Sequence, residues 1–449
     1  MSEQRPIGAA VEAVYNAAQP LQGARDDYDK LLDLIGDAQF ALIGEASHGT
    51  HDFYQQRVEI TKRLISEKGF TAVAVEADWP DAYRVNCYVR GRGQDSNADD
   101  ALGGFERFPT WMWRNVVVEE FVDWLRDHNE GLPVEQQCGF YGLDLYSLYT
   151  SIAEVIRYLD QTDPEAAQRA RKRYACLEHF GRDAQAYGYA TVFGRSEPCE
   201  QEVVNQLVDL QRHRLELIKQ HGEIEEEKFF SAEMNARVVL DAEEYYRTMF
   251  YGNVASWNLR DSHMADTLDN LTEHLGKMNG QPPKIALWEH NSHLGDARAT
   301  EMGAAGEWNV GQLVRERHDG KARLIGFTTY TGTVTAASDW DQPAQRKHVR
   351  PGLPGSYEDV FHSTEIPRFY LPLRDGGRAA EQLSEPRLER AIGVIYRPET
   401  ERISHYFLAR ISDQFDAVIH LDETRALEPL EINAEWQSIE PPETYPFGQ

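Results

Sequence analysis

The segment Phe40-Ala41-Leu42-Ile43-Gly44-Glu45-Ala46-Ser47-His48-Gly49 decides how this chain is read. Four apolar residues followed at once by turn-forming ones have the length of a buried strand, not of a helix. What comes next is helical: Phe53, Arg57, Ile60, Leu64 and Ile65 return near one face at the α-helical period, and Gly69 supplies the stop. A strand feeding a helix is half of a βα unit.

The pattern recurs along the chain. Thr71 to Val75 ends in Glu76 and leads through Asp78-Trp79-Pro80 into a helical stretch around Tyr83 to Tyr88. Cys138 to Leu143 ends in Asp144, and Lys284 to Trp288 ends in Glu289-His290-Asn291-Ser292-His293. Leu324 to Phe327, Ala391 to Tyr396 and Ala417 to His420 are further strand candidates. Uninterrupted apolar strands alternating with helices predict an α/β fold, a mainly parallel sheet flanked by helices. In such sheets ligands bind outside the carboxyl ends of the strands. The early strand ends therefore collect Glu45, His48, Glu76, Asp144, Glu289, His290 and His293 at one edge.

Strand-like runs stop between about residues 151 and 280, where long charged helical patterns take over, including Glu200 to His221 and Ala232 to Tyr251. The expected organisation is an α/β catalytic core from 1–150 and 281–449, with 151–280 as a helical insertion or cap subdomain that closes a cleft. The acidic run Glu223 to Lys228 reads as a solvated helix face or loop. From 332 to 383 the chain is rich in Gly, Pro and Asp, which predicts long loops over the sheet edge, with His362 as their titratable candidate.

Composition removes several function classes. Acidic residues outnumber basic ones 74 to 46, a formal charge of -28. A field of that sign repels phosphate backbones and anionic lipid, so neither nucleic acid nor a membrane surface is an expected partner. No apolar run approaches the length of a membrane span, and Met1 to Pro20 lacks the features of a secretory signal, so a cytoplasmic location is expected. Cys87, Cys138, Cys176 and Cys199 stand far apart with no Cys-x-x-Cys pair, which predicts reduced thiols.

The chemistry is narrowed by absent motifs. The chain has no Gly-x-Ser-x-Gly elbow, phosphate loop, dinucleotide-binding glycine turn or His-Glu-x-x-His zinc helix. Ser47 adjoins His48, but neighbours leaving a strand diverge, so it is a poor nucleophile for that base. His48 itself is suited to take a proton from water, with Glu45 or Glu76 fixing its tautomer. Glu76 follows apolar residues and needs a cationic partner; Arg57 is the expected one, or else it stabilises an oxyanion. His290 and His293, three apart beyond a strand, suit either proton transfer or a metal shared with His48 and Glu76. Trp79, Tyr83, Trp111 and Trp113 fit a pocket wall and a core equally well. A catalytically silent binding protein with the same cleft is the third reading.

Three stretches carry a resemblance: Gly44 to Gly49, Ala74-Val75-Glu76-Ala77-Asp78-Trp79-Pro80, and Trp288 to His293. Arg107 to Trp113, Asn258-Leu259-Arg260-Asp261, Ser356 to His362 and Ala391 to Phe407 add to it, with a departure at Ser262. Together they resemble the erythromycin esterase family. The resemblance implies a small-molecule substrate, a macrolide lactone or comparable ester, hydrolysed by histidine-activated water without metal or other cofactor. By motif, His48 is the expected general base, Glu45 and Glu76 its supporting carboxylates, Arg57 an active-site cation, and His290 and His293 the facing histidines. Trp79, Tyr83, Asp144, Glu289, Arg260 and His362 are the expected substrate contacts.

Overall fold

The computed structural model describes residues 7–437 except 179, 181–183, 193, 195, 196, 222 and 251, with backbone alone for 178, 213–221 and 223–225. Among these residues the strands are β1 Gln19–Pro20, β2 Phe40–Ile43, β3 Ala72–Asp78, β4 Gly139–Asp144, β5 Ile285–Trp288, β6 Ala322–Ala336, β7 Gln345–Val349, β8 Arg368–Pro372, β9 Arg387–Arg390, β10 Tyr406–Ala409 and β11 Ala417–Thr424. The fold is α/β, with a mainly parallel central sheet flanked by helices. The chain divides into two units, Met1–Val73 with Gln94–Cys138 and Lys284–Gln449, and Ala74–Gly93 with Gly139–Pro283.

In the first unit the sheet runs β1-β8-β11-β6-β2-β5. Its centre is parallel, β11 on β6, β6 on β2 and β2 on β5. The edge is antiparallel, with β8 on β11 and β1 on β8. Ile43 lies in register between Trp288 and Ile325. Every residue of β2 and β5 is buried, which is why both read as unbroken apolar runs without alternation. The helix His51–Lys68 packs Phe53 on Phe327 with ring centroids 5.3 Å apart. It ends as expected at Gly69, whose φ of 72° lets its N–H reach back to the Leu64 carbonyl.

The second unit holds β4, most of β3 and the long helices, among them Leu148–Thr162, Glu200–His221, Glu223–Thr248 and Asn253–Asn279. Its core gathers Leu145, Val155, Tyr174, Tyr187, Phe229 and Val239. Asn86, on the helix Trp79–Val89, accepts the Phe140 N–H at 3.1 Å and ties that helix to β4.

Several expectations are corrected. Cys176 and Cys199 form a disulfide, with Cα atoms 6.1 Å apart, because the helices fold that segment back on itself; spacing in the sequence does not reveal such a meeting. Glu227, within the acidic run expected to be solvated, is buried and pairs with Arg90 at 2.8 Å; the side chains of Glu223 to Glu225 lie outside the described residues. The 332–383 region is more ordered than a loop wrap: β6 continues to Ala336, and β7, the helix Tyr357–His362 and β8 follow. Ala391 to Tyr396 is no strand. It makes single bridges, Ile392 to Ser47 and Ile395 to Ala337, so its apolar residues mark burial and not a ladder. Among the described residues no helix is long and apolar enough to cross a membrane.

Candidate active site

Backbone hydrogen bonds tie the turn after β2 to several other parts of the first unit. Gly44 donates to the Ile325 carbonyl at 2.9 Å, Asn291 donates to that of Glu45 at 2.8 Å, and Ile392 to that of Ala46 at 2.8 Å. His48 donates its own N–H to Ile392 at 3.3 Å, and the Gly49 carbonyl accepts from Thr335 and Leu427 at 2.9 and 2.8 Å. A Cβ at Gly44 would collide with the Asn291 side chain. Bonds to four separate segments leave the turn little freedom, so the side chains it carries are held in place.

Glu45 and His48 are both buried, and the carboxylate Oε1 lies 2.9 Å from His48 Nδ1. The other carboxylate oxygen, Oε2, accepts from Arg57 Nη2 at 2.7 Å. A buried carboxylate requires such compensation, and here one acid serves a guanidinium and an imidazole together. Because an ionised carboxylate only accepts, the proton of a neutral His48 sits on Nδ1 and Nε2 is the basic nitrogen. The Ser47 hydroxyl hydrogen-bonds Thr50, not the imidazole.

At the end of β5, His290 has the opposite tautomer. Its Nδ1 accepts the Ser292 backbone N–H at 3.2 Å and lies 2.8 Å from the Ser292 hydroxyl, so a neutral ring carries its proton on Nε2. The His48 and His290 rings stand 4.8 Å apart, tilted by 48°. Glu289 and His293 flank His290 and are buried, and His293 donates its N–H to the His290 carbonyl at 2.9 Å. The pair thus offers one ring nitrogen that accepts a proton and one that donates.

A second cluster lies within the other unit. Arg260, on the helix Asn253–Asn279, reaches Glu76 at 2.8 Å and Asp144 at 2.6 Å, and its guanidinium carbon is 4.9 Å from the centre of the Tyr146 ring. Burial works against the charge of Arg260, but Asp144 and Glu76 outweigh it and hold its pKa well above the ordinary value. The cation expected beside Glu76 was Arg57; that arginine serves Glu45 instead. The partner actually used arrives from 184 positions along the chain, which spacing near Glu76 does not announce.

The remaining candidates divide. Trp79 packs against Tyr83, Tyr141 and Phe230 and donates its indole N–H to Ser231 at 3.3 Å, so it belongs to an aromatic cluster of the second unit. Trp111 and Trp113 are buried in the first. His362 is half exposed, stacked on Tyr330 with centroids 3.7 Å apart and bonded to Asp422 at 2.8 Å, and makes no bond to Glu45 or Arg57. Sequence reasoning missed Asn291, whose amide exchanges two hydrogen bonds with the Phe327 backbone while its N–H holds Glu45. A polar amide between two histidines at a strand end is the signal that would have found it.

Fold and site together define an α/β protein with a carboxylate-held imidazole centre at its strand ends, an arrangement suited to hydrolysis. The model of a family described as Erythromycin esterase matches residues 65–424, and the chain belongs to that family, one of hydrolases. Glu45, His48 and Arg57 lie before the matched span. The chain is 23% identical over 326 residues to a protein named erythromycin esterase type II from Escherichia coli, covering 69% of this chain and 74% of that one. Among solved structures it is similar to one titled a succinoglycan biosynthesis protein, with TM-score 0.74, 20% identity and coverage of 96% and 100%. It is also similar to an erythromycin esterase variant in its open conformation, with TM-score 0.67, 17% identity and coverage of 94% and 98%. At those identities the structural likeness concerns the fold.

Proposed function

We propose that this chain is a carboxylic-ester hydrolase in which His48 activates water directly, with neither a covalent enzyme intermediate nor a metal. The observation that carries the reading is the buried bond from His48 Nδ1 to Glu45 at 2.9 Å. It makes Nε2 the nitrogen that takes a proton, and the anionic carboxylate stabilises the imidazolium that results. Water oxygen attacks the ester carbonyl carbon as its proton passes to Nε2. The Nε2–H of His290 meets the negative charge that develops on the carbonyl oxygen. The acyl carbon–oxygen bond then breaks, and the departing alkoxide takes the proton back from His48, giving an acid and an alcohol, or one ring-opened hydroxy acid from a lactone.

The family resemblance assigns Glu76 and His293 to the same reaction, and the names of the similar proteins make a macrolide lactone the first substrate to try. A panel of esters and lactones in ¹⁸O-labelled water, followed by mass detection, tests the reading. One labelled oxygen should enter the acid, and His48→Asn should abolish its appearance while the fold persists. A substrate turned over at near-native rate by that variant sinks the proposal, and a ligand bound tightly but recovered intact favours sequestration.

A further inference from the structure

Arg57 is 1% exposed, and the one carboxylate it bonds among the described residues is Glu45. Its Nε has no hydrogen-bond partner among the described residues. A desolvated guanidinium with so few polar partners must be stabilised in another way. Its carbon Cζ lies 4.3 Å from the centre of the Tyr54 ring and 5.3 Å from that of Trp288. Tyr54, Arg57 and Thr61 recur on one face of the helix His51–Lys68, and Trp288 is the last residue of β5. The Trp288 ring is itself fixed, because its indole N–H donates to Thr61 at 2.9 Å and Phe121 packs against it at 4.9 Å.

We infer that Tyr54 and Trp288 are positioning residues for hydrolysis, an aromatic clamp that acts through Arg57 and Glu45 to keep the His48 proton on Nδ1. The inference rests on the function proposed above. Ring faces carry negative potential, so two of them replace the water that a buried guanidinium has lost. They also hold the guanidinium in one plane. With Arg57 fixed, Glu45 presents Oε2 to it and Oε1 to His48, and the imidazole keeps a single tautomer and a single aim. Arg57 is then spent beneath the carboxylate and contacts no substrate.

The test reads the imidazole itself. In protein labelled with ¹⁵N-histidine, the His48 ring signals are identified by their absence in His48→Gln, and the expected wild-type pattern is a protonated Nδ1. Tyr54→Phe should keep that pattern. Tyr54→Phe carrying a fully fluorinated ring has nearly the same shape with the ring potential inverted, and should give a mixture of tautomers. On an identified substrate the fluorinated variant should lose about 10- to 100-fold in kcat with KM nearly unchanged, as expected for a displaced catalytic group. Trp288→Leu should act in the same direction. If the fluorinated variant matches Tyr54→Phe in both tautomer and kcat, the clamp is overturned whatever Trp288→Leu does to folding. The tautomer measurement needs no substrate, so retained activity in His48→Asn would refute the proposed function separately.

Discussion

Thr335 donates its backbone N–H to the Gly49 carbonyl at 2.9 Å, and the Thr335 backbone passes so close to the Gly49 α-carbon that a Cβ there would collide with its carbonyl. Glycine at position 49 is thus a condition for β6 to press the His48 turn into place. Gly49→Ala should push that turn away from β6 and cost about 1–3 kcal/mol of stability. It should lower kcat by about 100-fold, since a shift near 1 Å misaligns the base. Steady-state kinetics check this: a native kcat would mean that β6 does not aim His48.

Glu45→Gln keeps the shape of the side chain and removes the charge that Arg57 and His48 share. An unpaired buried guanidinium costs about 3–5 kcal/mol. Loss of the tautomer-fixing acceptor should lower kcat by about 10²- to 10⁴-fold. Urea unfolding and kinetics on one preparation separate the effects, and a variant as stable as the wild type would show that the pair contributes nothing net.

Arg260→Leu removes the guanidinium that bonds both Glu76 and Asp144. At neutral pH the predicted loss is again about 3–5 kcal/mol. The deficit comes from carboxylate charge, so relative to wild type it shrinks as acidification neutralises that charge. Denaturation curves at several pH values test the sign, and a deficit that grows on acidification contradicts the assignment.

Two buried imidazoles set a second pH dependence. Burial pushes His405 down to about 4, and it also lowers His420. An unfolded histidine titrates near 6.5, so above that pH neither state holds the proton and stability is unaffected. Below it the unfolded chain binds protons that the native one refuses, and stability falls until the pH reaches about 4, where His405 accepts one too. Thermal midpoints between pH 8 and 4 should decline through this window, and His405→Gln should decline less steeply; equal slopes would dismiss His405 as a cause.

If His48 alone activates water, prolonged chelation should leave turnover unchanged, and added divalent ion should not raise it. Activity lost to a chelator and restored by metal would transfer the chemistry to a metallohydrolase.

The parts of the fold that could be read in advance are those where burial leaves a local trace. Phe40 to Ile43 is apolar at both parities because a central parallel strand has no solvent face, and β2 lies where that run does. Gly69 ends its helix because it can take a positive φ. Glu45 and His48 were legible as neighbours on one turn for the same local reason, but spacing left Glu45 and Glu76 both open as the carboxylate that bonds the imidazole. Ala417 to His420 was legible as part of β11, whereas β7, β9 and β10 were hidden because they are only four or five residues long, β7 and β9 are mostly polar, and pairing with other strands supplies most of their stability.

The amino-acid order by itself determined the βα units and the strand ends at which Glu45, His48 and His290 stand, since periodicity and turn residues act over a few positions. Tertiary structure alone decided the partners: Arg57 on Glu45, Arg260 on Glu76 and Asp144, and Cys176 on Cys199. A buried charge accepts whichever opposite charge the packed elements deliver to it, and that delivery is a property of the assembled core, not of neighbouring residues.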